Sequence, residues 1–218
     1  MFIKGKLYDA TLKRLVDIIG ASLLLIVFSP VCAIIAIMIK IDSHGPILAD
    51  TPQRVGKGGK LFKMYKFRSM INKAHDILRK DPDYKNLYEQ YKRNSYKLLK
   101  DPRVTLIGRF IRKHSLDEIP QLINILKGDM SLVGPRAYYP DELQNQQKKY
   151  PHTRDMVKEV LSIKPGITGY WQVSGRSEVN FDKRIAMDRD YVQRRSLLYD
   201  LKILLKTPWA MISGKGAV

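Results

Sequence analysis

Two adjacent carboxylates, Asp117 and Glu118, lie in the stretch HSLDEIPQL, close behind Arg109, Arg112, Lys113 and His114. Carboxylates among so many cations stay ionised and can hold Mg²⁺, and an aspartate oxygen can attack phosphorus. Neighbours on a helix point about 100° apart. The pair is therefore not the facing couple that flanks a glycosidic bond in a hydrolase. A purely structural role fits the same residues, because Ser115 followed three positions later by Glu118 reads as a capping box.

The elements around the pair must supply a polyanion site. The chain has 218 residues, with 39 Lys+Arg against 21 Asp+Glu, a formal charge of +18. Such a surplus points to nucleic acid, anionic lipid headgroups or phosphorylated substrates. Cys32 is the only cysteine, which excludes an intrachain disulfide and CxxC-type zinc sites and reads as a small buried hydrophobe.

From Leu15 to Ile41 the chain is almost wholly apolar, with Asp17 the one charge before Lys40, and Lys13-Arg14 stand in front of it. Its length, its internal Pro30 and its charged end argue against a cleaved secretory signal. Hydropathy alone would make it a spanning helix. Proline removes a backbone donor and clashes with the preceding turn, so Ser29-Pro30 predicts a bend or break. The part before it, Ile18–Phe28, has 11 residues, about 16 Å of helix against a ~30 Å hydrocarbon core. Cations at both ends place both on the cytoplasmic face. We therefore expect a re-entrant helix–break–helix over residues 1–41 with its interfacial lead-in, the Ser29 hydroxyl serving backbone groups freed by Pro30. A kinked single span is the competing reading.

Residues 42–218 read as a cytoplasmic domain, mainly helical α+β with a small sheet. Gly45-Pro46 and Gly56–Gly59 mark turns, and Leu61–Arg68 alternates apolar and basic residues like a strand. Asn72–Lys100 predicts one or two charged surface helices interrupted at Asp81-Pro82. Ile107–His114 and Leu116–Leu126 predict helices ending at Gly128, followed by helices over Asp141–Ile163, Phe181–Gln193 and Leu197–Ile212, with a tight turn at Lys164–Gly169. Trp209 beside Lys202, Lys206 and Lys215 suits a helix lying at a membrane interface as well as it suits core packing.

Four stretches in order, KRLVDIIG…FSPV at 13–31, YKFRSM at 65–70, DPRVTLIGRFIRKHSLDEIPQLINILKGDMSLVGPR at 101–136 and KPGITGYWQVSGR at 164–176, make the chain resemble the bacterial sugar transferases, monotopic polyprenyl-phosphate phosphoglycosyl transferases, over nearly its whole length. The resemblance implies a ping-pong reaction at the cytoplasmic face of the bacterial inner membrane. Asp117 would attack the β-phosphorus of a UDP-sugar, expel UMP and carry the phosphosugar to undecaprenyl phosphate, with Glu118 supporting Mg²⁺ or proton transfer. Phosphoryl transfer depends on positioning and on cations at the phosphate oxygens. Lys66, Arg68, Arg112, Arg136 and Arg176 are the phosphate-binding candidates, Arg103 and Arg109 weaker ones, and Gly134-Pro135 and Gly166 shape turns near the nucleotide. Where the family commonly reads Pro-Arg-Pro, this chain has Pro135-Arg136-Ala137, which removes one fixed φ and keeps the charge of Arg136.

Two other classes compete with this one. A membrane-tethered nucleic-acid binder is disfavoured by the lack of an RNA-binding aromatic signature, zinc finger or helix-turn-helix pattern. A basic, non-catalytic membrane scaffold would make Asp117 dispensable. The sequence names neither the sugar nor the glycan pathway (capsule, exopolysaccharide or O-antigen), and leaves a homo-oligomer open.

Overall fold

The computed structural model describes residues 8–93, 98, 100–174 and 179–213. A first turn, Tyr8–Leu12, leads into helix α1, Lys13–Asp42. α1 has 30 residues and is not interrupted at Ser29-Pro30. The expected break is therefore at most a bend, and the reason is local. Pro30 has no N–H for the Ile26 carbonyl one turn back, and the Ser29 hydroxyl donates to that carbonyl instead, at 2.8 Å.

Most of α1 has no protein cover. Ile26, Val27 and Ile37 are 70%, 67% and 61% exposed, whereas its buried positions are Asp17, Ala21, Ile35 and Ile39, near the two ends. Both ends are gripped by the body. At the start, Lys13 donates to the Val133 carbonyl (2.9 Å), Arg14 to the carbonyls of Ile125 and Leu126, and Asp17 accepts from Ser131 Oγ and the Leu132 amide, both at 2.9 Å. At the finish, Arg68 donates to the carbonyls of Ile39, Ser43 and His44. A straight helix would separate residues 14 and 39 by about 37 Å. Yet the two grips lie on neighbouring segments, tied together where the Tyr65 amide donates to Asn124 Oδ1 at 2.8 Å.

The body follows with strands β1 (Arg54–Val55) and β2 (Leu61–Phe62) and helices α2 (Ala74–Lys80), α3 (Lys85–Arg93), α4 (Leu106–Lys113) and α5 (Gln121–Lys127). Next come β3 (Ser131–Val133), α6 (Pro140–Lys149), α7 (Arg154–Val160), β4 (Gly166–Thr168), α8 (Tyr170–Ser174), α9 (Phe181–Arg194) and α10 (Leu197–Ser213). β1 pairs antiparallel with β2, and β3 runs parallel to β4. Thus the small sheet is two separate pairs, and the turn expected at Lys164–Gly169 contains a strand. Only the first two residues of Leu61–Arg68 form ladder. Its remainder is extended, with a single bridge from Phe67 to Leu48, because the Tyr65 and Phe67 amides are taken by Asn124 Oδ1 and the Asp117 carbonyl instead. Asp141–Ile163 is two helices, broken where Pro151 starts a new turn.

The main core joins Ile111, Ile119, Leu122, Ile125, Leu132 and Val133 to Ala21, Ile35 and Ile39 of α1. Two close backbone approaches set the frame. A Cβ on Gly108 would lie 1.9 Å from the Ser69 carbonyl oxygen, and one on Gly134 would lie 2.6 Å from the Gly166 nitrogen, so neither position admits a side chain. Trp209 is 77% exposed, with Leu205 at 73% and Leu201 at 49% on the same helix. α10 thus presents an uncovered apolar face, and core packing does not account for its tryptophan. Leu106 (75%) and Phe110 (51%), one turn apart on α4, do the same.

Candidate active site

Asp117 and Glu118 lie on a short 3₁₀ turn, Leu116–Glu118, between α4 and α5. The capping box expected at Ser115 is absent. Ser115 adopts a left-handed conformation (φ 55°, ψ 22°) and makes no side-chain cap. A non-glycine residue held there carries backbone strain, which commonly accompanies functional sites. The strained residue turns the chain sharply enough to aim both carboxylates at the extended segment after β2. The turn is fixed from that side as well: the Phe67 amide donates to the Asp117 carbonyl at 2.9 Å.

Lys66 lies between the carboxylates, its ammonium 2.7 Å from Glu118 Oε1 and 3.4 Å from Asp117 Oδ2. Burial works against charge on all three groups, yet they respond differently. For Glu118, Lys66 with its hydrogen bond, Arg136 and Arg54 outweigh burial, and the carboxyl is held below the usual glutamate range. For Asp117, burial, reinforced by Glu118, outweighs Lys66 and Arg112 and pushes the carboxyl up. Burial would lower Lys66, but the two carboxylates outweigh it and keep the ammonium charged. The pair is therefore unequal: one ionised partner fixed by a lysine, and one buried aspartate, 7% exposed, of higher energy when charged.

A cavity of about 260 Å³ opens over the pair and is lined by Lys66, Arg112, Arg136, Arg68, Arg103 and Arg54 among others. Three sequence candidates, Lys66, Arg112 and Arg136, direct their charge at the carboxylates. Arg68 lines the same cavity, but its guanidinium bonds α1's terminal carbonyls, a use that suits a cation at a helix C-terminus. Arg103 is 1% exposed and locked onto Asp101 (2.6 Å and 2.8 Å) and the Ala74 carbonyl (2.8 Å). Arg109 is exposed on α4. Arg176 lies outside the described residues. Sequence reasoning missed Arg54 and Trp171. Arg54 stacks 3.3 Å from the Tyr139 ring centroid and donates to the Ala137 carbonyl at 3.1 Å. Trp171 lies between Arg136 (5.4 Å) and Arg184 (5.1 Å). Arg54 stands in none of the matching stretches, so only tertiary contact reveals it, whereas Trp171 lies within the stretch 164–176 and could have been found there.

Among the described residues no three His, Cys, Asp or Glu side chains cluster as a metal cage. Two carboxylates beside a polycationic cavity still suit Mg²⁺, which is commonly held by one or two carboxylates plus substrate phosphates and water.

A family model described as "Bacterial sugar transferase" matches residues 8–214. The chain belongs to the bacterial sugar transferase family. Among its relatives is the undecaprenyl-phosphate galactose phosphotransferase of Salmonella typhimurium, 44% identical over 94% of this chain and 41% of its own length. The exopolysaccharide production protein ExoY of Rhizobium meliloti is 40% identical over 94% of this chain and 87% of its own. The UDP-glucose:undecaprenyl-phosphate glucose-1-phosphate transferase of Escherichia coli is 37% identical over 94% and 41%. The chain therefore spans about four tenths of the length of several relatives and most of ExoY.

Proposed function

We propose that the protein transfers a sugar-1-phosphate from a UDP-sugar to undecaprenyl phosphate through a covalent intermediate on Asp117. The observation that carries this reading is the unequal pair, Asp117 buried and Glu118 fixed by Lys66 at 2.7 Å, beneath a cavity lined with arginines. A carboxylate oxygen of Asp117 forms a bond to the β-phosphorus as the bond from that phosphorus to the bridging oxygen breaks, and UMP leaves with the electron pair. A phosphate oxygen of the lipid then attacks the same phosphorus, and Asp117 regains its carboxylate. Lys66, Arg112 and Arg136 supply fixed positive charge to the phosphate oxygens, which is most of what such a transfer needs. Asp117 and Glu118 are the residues that would hold Mg²⁺ together with substrate phosphates, and the ion would supply neutralisation of diphosphate charge. The names of the relatives favour galactose or glucose as the sugar and exopolysaccharide synthesis as the setting. The purified protein with Mg²⁺, undecaprenyl phosphate and UDP-galactose or UDP-glucose is expected to release UMP. Release of UDP instead, or of no nucleotide from any UDP-sugar, refutes the proposal.

The same reading places α1 as a re-entrant element entering and leaving the cytoplasmic face of the inner membrane. Its support is that one compact body grips both ends while the apolar middle is left for lipid. Cysteines replacing Thr11 and His44, in a Cys32→Ser background, are expected to react with an impermeant reagent only in inside-out vesicles. Reaction of one of them in right-side-out cells would establish a transmembrane span.

A further inference from the structure

Arg136 reaches the cavity from a loop, residues 134–139, that is tied down at almost every residue. The Pro135 carbonyl accepts from the Gly166 amide and the Tyr138 carbonyl from the Val55 amide, both at 2.9 Å. The Ala137 carbonyl accepts from Arg54 at 3.1 Å. Two further bonds converge on one oxygen of a residue outside the cavity: Asp188 Oδ2 on α9 accepts the Arg136 amide at 3.3 Å and the Tyr138 hydroxyl at 3.1 Å. Asp188 and Tyr138 are both 0% exposed. A buried carboxylate is costly to keep, and neither core packing nor the proposed chemistry of the carboxylate pair calls for one at this point.

We propose that Asp188 is a positioning residue for the reaction: through the Arg136 amide and the Tyr138 hydroxyl it sets the register of the loop, and so places the Arg136 guanidinium against Trp171 and over the Asp117–Glu118 pair. The inference deepens the proposed transferase reading and rests on it for its kinetic part only. Loop geometry matters here because misplacing a phosphate-binding group by ~1 Å can cost on the order of a hundredfold in rate. Ala137 imposes no fixed φ, so the loop owes its shape to these outside anchors. Burial pushes the Asp188 carboxyl up to about 7, against the hydrogen bonds from Arg136 and Tyr138 and the charges of Arg184 and Arg136. An asparagine keeps an acceptor oxygen for both donors without the charge that burial disfavours.

The test is a double-mutant cycle with a structural readout beside it. Asp188→Asn keeps an acceptor oxygen and is expected to stay within ~3-fold of wild type in kcat/KM for the UDP-sugar, whereas Asp188→Leu loses ~10–50-fold. In an Arg136→Ala background, Asp188→Leu is expected to cost less than ~3-fold more, because the residue acts through Arg136. Tyr138→Phe, which leaves Asp188 in place, gives the same non-additivity at smaller size and serves if the leucine variant does not fold. Hydrogen exchange measured on the 134–139 peptide is expected to quicken at least ~10-fold in Asp188→Leu or Tyr138→Phe and not in Asp188→Asn, with β3 and α9 unchanged. Additive losses, or a loop whose exchange ignores Asp188, overturn the proposal. If the wild type releases no UMP, the transferase reading fails while exchange still decides whether Asp188 positions the loop.

Discussion

Asp117→Asn is expected to lower UMP release by at least ~10³-fold and, at the same time, to raise the melting temperature at pH 8. The first effect follows from chemistry, since an amide cannot serve as the displacing oxygen, and it is checked by incubating protein with UDP-sugar and no lipid acceptor. The wild type gains the mass of one phosphosugar, and the variant gains nothing. The second effect follows from the electrostatics. Burial and the adjacent Glu118 push the Asp117 carboxyl up against the pull of Lys66 and Arg112. An acid with a raised folded pKa binds its proton more tightly in the folded state than in the unfolded one. Stability therefore falls as pH rises from the ordinary aspartate range through the folded pKa. The asparagine variant never ionises, so its advantage is absent in acid and grows towards pH 8. Turnover by this variant above a tenth of wild type would remove Asp117 from the chemistry. An unchanged melting temperature would mean that the carboxylate is not held under strain.

Lys66→Met is expected to cost ~10²–10³-fold in kcat and about 1–2 kcal/mol of stability, less than the scale for a fully buried ion pair because the Lys66 and Glu118 side chains are 20% and 30% exposed. The ammonium lies 2.7 Å and 3.4 Å from the two carboxylates. Without it, burial acts on Glu118 with only the more distant Arg136 and Arg54 opposing. In the wild type the Glu118 carboxyl is depressed, so its contribution is present above the ordinary glutamate pKa and lost as pH falls through the lower folded value. In the variant the balance reverses, and ionising Glu118 becomes a cost that increases as pH rises. The stability gap between the two proteins should therefore widen from pH 5 to pH 8 in denaturant unfolding. A gap that narrows over that range would show that Lys66 is not the counter-ion of the pair.

Much of this site could be read from residue types alone, for reasons that differ by residue. Lys66, Arg112 and Arg136 stand out because they lie in the stretches that carry the family resemblance, and only the fold brings Lys66, 51 residues from Asp117, and Arg136 to the pair. The helices after Lys100 were legible where an apolar stripe and a cap agree, as at α5, closed by Gly128 at φ 90°. The capping box failed because Ser115 is bent into the left-handed region, a tertiary demand that no local pattern encodes. Arg68 shows a different limit: a cation in a phosphate-like motif can equally well finish a helix, and which it does depends on the carbonyls just past α1, at Ser43 and His44, 25 and 24 residues earlier. Asp188 lies farther still from the motif it supports, 52 residues from Arg136, and its burial cannot be inferred from spacing.

The segment from Tyr65 to Arg68 serves two masters in alternation. Tyr65 and Phe67 give their amides to Asn124 and to the Asp117 carbonyl, Lys66 turns to the carboxylates, and Arg68 takes hold of the end of α1. Four consecutive residues thus act as a depth gauge, with one mark on the long apolar helix and the next on the carboxylate pair. On the proposed reading, this would hold the displacing oxygen at a constant height relative to α1, where a lipid phosphate anchored by its long tail could meet it without climbing out of the leaflet. Detergent that lets α1 wander should blunt the second half-reaction before the first.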